Sequence, residues 1–179
     1  MLDINTTLFL WLNASAASPT WILPLARFAS LELTQWLLAG TVGAFMVGDA
    51  RTRRMVVRVL VAMAIAWLIA RLTQHLWPMP RPFALGLGTA WLPHGDSAGF
   101  PSTHASVAFA FAVAVSTCAR RWPAVVAAFS AAALITWSRV SLGLHFPFDA
   151  MAGMLVGIFS AWLCVMVPRL ARRGQTAHE

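Results

Sequence analysis

A chain of 179 residues that is 59% hydrophobic and only 11% charged, with a mean hydropathy of +0.71, is too apolar for a water-soluble domain and belongs in a lipid bilayer. Every basic side chain is an arginine, and the formal net charge is +7. These arginines gather at the ends of apolar runs, so membrane topology accounts for them and a nucleic-acid partner is excluded.

The opening Met1-Leu2-Asp3-Ile4-Asn5 lacks the basic segment of a cleavable signal, so the mature chain is expected to begin near Met1. Residues 7–17 are apolar but few and end at Ser18-Pro19. They predict an interfacial helix, with a sixth span joined to the next apolar run as the alternative. Runs long enough to cross a bilayer then fall at 20–47, interrupted by Arg27 and Glu32, and at 56–77, 102–118, 124–142 and 148–167. The expectation is an all-α, polytopic transmembrane bundle of about five spans, forming one domain over residues 1–179. Cys118 and Cys164 lie inside apolar runs and read as small packing residues, neither a disulfide nor a metal site. Asn5-Thr6-Thr7 and Asn13-Ala14-Ser15 match a glycosylation pattern that is common by chance.

Charge then orients the spans. Arg51, Arg53, Arg54 and Arg58 precede the second, Arg120 and Arg121 join the third to the fourth, and Arg169, Arg172 and Arg173 follow the fifth. Five spans put these clusters on one side, which the positive-inside rule makes cytoplasmic. The loops 78–101 and 143–147 then face the periplasm or exterior of a bacterial inner membrane. Trp77 and Trp91 flank the first of these loops and Trp122 marks an inner end, as interfacial anchors do.

Arg81, His104, Arg139, His145 and Asp149 all fall at that outer boundary. Ionisable groups are costly near lipid, so their convergence needs a chemical reason. An anionic phosphorus centre supplies one: arginines neutralise it, one histidine attacks it, another manages the proton, and a carboxylate orients the attacker. Pro101-Ser102-Thr103-His104 opens the third span, where a helix start offers unpaired N–H groups and a partial positive charge to a phosphate oxygen. Phe146-Pro147-Phe148 turns the chain into the fifth span, so Asp149 can reach one ring N–H of His145 and leave the other nitrogen free to attack. Each group has a plainer reading when taken singly. Pro-Ser-Thr-His also serves as a capping sequence, Asp149 as a helix-start carboxylate, and either arginine as a side chain reaching for headgroups.

Taken together, the residues resemble the signature of the type 2 phosphatidic acid phosphatase (PAP2) superfamily. That signature reads Lys, six residues, Arg-Pro; then Pro-Ser-Gly-His; then Ser-Arg, five residues, His, three residues, Asp. The third part is complete here as Ser138-Arg139, His145 and Asp149. The second has Thr103 in place of glycine, and the first keeps Arg81-Pro82 but has Gln74 in place of lysine. Trp77-Pro78-Met79-Pro80-Arg81-Pro82-Phe83, Gly86-Leu87-Gly88, His94 and Gly143-Leu144-His145-Phe146-Pro147-Phe148-Asp149 look like the bacterial undecaprenyl-diphosphate phosphatases of the BcrC type. Gln74 donates a hydrogen bond but brings no charge. Arg71, one helical turn earlier, either supplies that charge or anchors the span at the interface.

The resemblance implies a cofactor-free, metal-independent phosphatase acting on an isoprenoid or other lipid phosphate. His145 would be the nucleophile with Asp149 assisting, and His104 the acid and then the base. Arg81, Arg139, Ser102 and Thr103 would hold the phosphate. Alternatives are a phosphatase for phosphatidate, phosphatidylglycerophosphate or lipid A, a phosphotransferase, or a metal or haem carrier using His75, His94, Asp96, His104 and His145. Oligomeric state is not legible in the sequence.

Overall fold

The computed structural model describes residues 3–95, 97–119 and 121–175, with side chains as far as Met166. Asp96 and Arg120 lie outside the described residues, as do the side chains of Arg169, Arg172 and Arg173.

Helix α1, Ile4–Leu12, is capped by Asp3, whose carboxylate accepts from the Thr6 N–H at 2.7 Å. Nine residues are too few to cross a bilayer, and the chain leaves helical geometry at Asn13, so no sixth span forms here. The first long rod is one unbroken helical path in three pieces: α2 (Ile22–Arg27), a π-helical segment (Phe28–Leu33) and α3 (Thr34–Val47). The π segment coincides with the interruption at Arg27 and Glu32. A widened turn re-aims the residues beyond it, and here it presents Ser30 to the bundle interior.

Helix α4 (Ala50–Leu76) begins six residues before the apolar run at 56, because Asp49 accepts from the Thr52 N–H at 2.8 Å and carries the arginine-rich turns as helix. Next come α5 (Thr103–Cys118), α6 (Trp122–Ser141) and α7 (Pro147–Gln175). Among the described residues α4, α6 and α7 are long and apolar enough to span a membrane, and α5 is a shorter apolar helix. This is a multi-pass membrane protein.

Helix α5 is the axis of the bundle, with Ala105, Ser106, Phe109, Ala110, Ala112 and Ala114 all buried. Helices α5 and α7 run in the same direction and touch almost backbone to backbone. A Cβ on Gly153 would stand 2.5 Å from the Ser102 carbonyl oxygen, and one on Gly157 would strike the Ser106 carbonyl. Small residues inside and large apolar ones outside, such as Leu68, Leu72 and Leu155, invert the pattern of a soluble bundle. Lipid has no hydrophobic drive to offer between helices, so close van der Waals contact must hold them.

The helix order brings the end of α4, the start of α5, the end of α6 and the start of α7 to one end of the bundle. Arg51, Arg53, Arg54, Arg58 and Arg121 lie at the opposite end, where Arg53 donates to the Phe45 and Met46 carbonyls. The segment between α4 and α5 covers the first end and is pinned by Asn13, which donates to the Thr89 and Ser141 carbonyls and accepts from the Thr89 N–H. Trp91 is part of this fastening, its indole N–H donating to the Ala14 carbonyl at 2.7 Å, whereas Trp77 and Trp122 are exposed as interfacial anchors are. Arg27 donates to the Trp91 carbonyl from the first rod.

Candidate active site

Local sequence delivers each group to this end. Helix α6 closes in a Schellman turn: Leu144 N–H reaches the Arg139 carbonyl and Gly143 N–H the Val140 carbonyl, both at 3.0 Å. Gly143 has φ +78°, and a Cβ there would strike the Thr89 carbonyl, so only glycine makes this turn. Two residues later His145 is fully buried. Pro147 then opens α7, and the Asp149 carboxylate reaches back to the Phe146 N–H at 2.9 Å.

Two partners of opposite character fix the His145 ring. Its Nδ1 lies 2.8 Å from the Gly99 carbonyl, which only accepts, and its Nε2 lies 3.0 Å from Arg81 Nη1, which only donates. The ring is therefore neutral, with its hydrogen on Nδ1 and its lone pair on Nε2. Burial first, then the charges of Arg81 and Arg139, push its pKa well below the ordinary 6.5. Asp149 Oδ2 stands 3.8 Å from Nδ1, which is electrostatic range and too long for a hydrogen bond. The expected direct grip of Asp149 on the ring N–H is thus taken by a backbone carbonyl. Asp149 instead holds both flanks, its side chain at Phe146 and its main-chain carbonyl at the Ser102 N–H.

Arg81 directs all five N–H groups into protein: to the Ser97 carbonyl and hydroxyl, the Ala98 and Leu144 carbonyls, and His145 Nε2. Burial lowers its pKa and the Asp149 carboxylate counteracts that. Arg139, 3% exposed, donates from Nη1 to the Ser30 hydroxyl. Its Nε and the hydroxyl of the fully buried Ser102 have no hydrogen-bond partner among the described residues. Buried polar atoms without partners are rare, and both of these can donate, as an anion requires. Ser102 is the N-cap of α5 by position but makes no capping bond, which leaves its hydroxyl free to donate elsewhere.

Gln74 is buried at the end of α4, and its amide nitrogen donates to the Pro101 carbonyl at 2.9 Å and the Thr103 hydroxyl at 3.0 Å. Arg71 donates to the Gln74 amide oxygen at 3.3 Å. Thr103 and His104 line the end of an apolar groove of about 260 Å³ between α3, α4, α5 and α6, walled by Leu37, Met63, Trp67, Val107, Phe111 and Ile135. Among the described residues no three His, Cys, Asp or Glu side chains come together to hold a metal ion, and His75 is exposed at the end of α4. His94 stacks obliquely near Phe83 in the covering segment, its pKa lowered by burial and by Arg81.

A model of the PAP2 superfamily matches residues 55–173, two-thirds of the chain. The chain belongs to that superfamily. The Escherichia coli protein YbjG, whose name assigns it provisionally as an undecaprenyl-diphosphatase, is 33% identical over 156 residues, covering 87% of this chain and 78% of YbjG. The undecaprenyl-diphosphatase BcrC of Bacillus subtilis is 27% identical over 141 residues, covering 78% and 66% respectively. The crystal structure of LpxE from Aquifex aeolicus has the same fold, with a TM-score of 0.77 at 24% identity over 92% of this chain and 96% of that one.

Against the PAP2 signature, side-chain reading missed Gly99, Ser97 and Ser30. Gly99 and Ser97 act largely through carbonyls, which any residue carries. The one signal at Gly99 is its being glycine, which the structure explains: a Cβ there would press on Arg81 Cγ at 3.1 Å. Ser30 lies 109 residues from Arg139 and left none.

Proposed function

We propose that this PAP2 phosphatase hydrolyses undecaprenyl diphosphate to undecaprenyl phosphate and inorganic phosphate, on the outward face of a bacterial inner membrane. The supporting observation is the state of His145, a buried neutral imidazole whose Nε2 lone pair faces Arg81. Nε2 attacks the terminal phosphorus in line with the bridging oxygen. As it does so, the Arg81 N–H that had occupied Nε2 turns to a phosphate oxygen. Positive charge developing on the ring is met by the Gly99 carbonyl and by Asp149 at 3.8 Å. Ser102 Oγ and Arg139 Nε donate to the remaining oxygens.

The phosphorus–oxygen bond to the lipid phosphate breaks, and His104 gives that oxygen a proton. His104 suits this part because it lies on the apolar groove, from which the tail approaches. Water then attacks the phosphohistidine with His104 taking its proton, and His145 is restored. The similarity to YbjG and BcrC supports the diphosphate over other lipids.

Phosphate release in detergent from undecaprenyl diphosphate, phosphatidate, phosphatidylglycerophosphate and a lipid A phosphate tests the reading. The expected order of kcat/KM has undecaprenyl diphosphate first by at least about tenfold. A higher value for any of the other three would reassign the substrate.

A further inference from the structure

Both departures from the PAP2 signature, Gln74 and Thr103, touch each other. The Gln74 amide cannot be turned round, because its oxygen faces a guanidinium that only donates and its nitrogen faces the Pro101 carbonyl that only accepts. The amide nitrogen must therefore donate to Thr103 Oγ1 as well. Thr103 receives there, so its own hydrogen is left over, at the start of α5 between the partnerless Ser102 hydroxyl and His104.

We propose that Arg71, Gln74 and Thr103 form a one-way donor relay that ends on a substrate phosphate oxygen and replaces the signature's ammonium. The guanidinium donates to the amide, the amide to the hydroxyl, and the hydroxyl to the phosphate. Each donation polarises the next, so the cation at Arg71 strengthens the last bond without approaching the anion. Thr103 binds phosphate directly, while Gln74 and Arg71 are positioning residues. A glycine at 103 would offer no hydroxyl to end the chain, and a lysine at 74 would need no such chain. The two departures work as one unit.

This inference rests on the phosphatase reading, and orthovanadate binding to the full-length protein in detergent separates the two. Thr103→Val, which keeps the shape and removes the hydroxyl, is expected to weaken vanadate binding by about tenfold to a hundredfold. Thr103→Ser should recover most of that loss. Gln74→Met should weaken binding too, but Gln74→Met with Thr103→Val should bind as Thr103→Val alone, since the amide acts through the hydroxyl. A merely structural role for Gln74, through Pro101, would make the losses add. Additive losses, parental binding by Thr103→Val, or a parent that binds no vanadate would each overturn the relay. If Thr103→Val does not fold, Thr103→Ala takes its place in the same comparison: a Gln74→Met loss that vanishes in that background supports the relay, and a loss that persists there overturns it. A parent that binds vanadate through this relay yet releases no phosphate from any lipid phosphate overturns the phosphatase reading alone.

Discussion

Arg81 and His145 hold each other in a poised arrangement: the arginine has no N–H to spare, and one of the five sits on the nitrogen that attacks in the proposed mechanism. The same proximity sets the proton affinity of the ring. Because burial and neighbouring cations hold His145 well below its ordinary 6.5, it stays neutral as pH falls through that value, and the acid limb of phosphohistidine formation should lie lower. Arg81→Gln removes one of those cations, so the limb should move up toward 6.5 even as the rate drops. Single-turnover phosphorylation across pH measures this, and an unmoved limb would detach Arg81 from the ring's ionisation. The side chains of this site were legible because their spacing is fixed in sequence: Ser138-Arg139, His145 and Asp149 lie on one Schellman turn and one helix start. What holds them was not. The Gly99, Ala98 and Leu144 carbonyls carry no residue identity; the last two hold Arg81, and the Gly99 carbonyl takes the contact with His145 that spacing alone suggested for Asp149.

Helix ends explain where the apolar runs and the helices part company. Asp49 starts α4 among arginines that composition excludes from lipid, because helical hydrogen bonding does not require an apolar side chain. The π segment in the first rod left only the trace of Arg27 and Glu32, since a widened turn changes direction and not composition. The α5–α7 contact was silent for a related reason: Gly153 and Gly157 look like ordinary apolar-run residues until a carbonyl is found against them. Gly153→Val would drive a Cβ to 2.5 Å from the Ser102 carbonyl and 2.9 Å from Ala105 Cβ. Overpacking of this kind costs about 1–3 kcal/mol, so the melting temperature in detergent should fall and turnover with it as Ser102 shifts. Gly40→Val, whose Cβ would meet nothing within 4 Å, should melt like the parent. A Gly153→Val protein as stable and active as the parent would refute the close packing.

The bundle places Arg51, Arg53, Arg54, Arg58 and Arg121 at one end and its buried ionisable site at the other, a separation that charge patterning alone already outlined. Its facing can be read with a membrane-impermeant thiol reagent after Cys118 and Cys164 are changed to alanine. Gly95→Cys, in the segment covering the site, should label in intact spheroplasts, and Trp122→Cys, at the arginine end, only after permeabilisation. The reverse pattern would put catalysis on the cytoplasmic side. All of the proposed chemistry depends on one covalent event, transfer of a phosphoryl group to His145 Nε2. The most direct measurement is rapid acid-free quenching of the protein with radiolabelled undecaprenyl diphosphate, then mapping of the acid-labile phosphate. Label is expected on the peptide carrying His145, stable in alkali and lost in acid, with none in a folded His145→Ala protein. Label on another residue, or turnover by His145→Ala near that of the parent, would contradict the phosphohistidine mechanism.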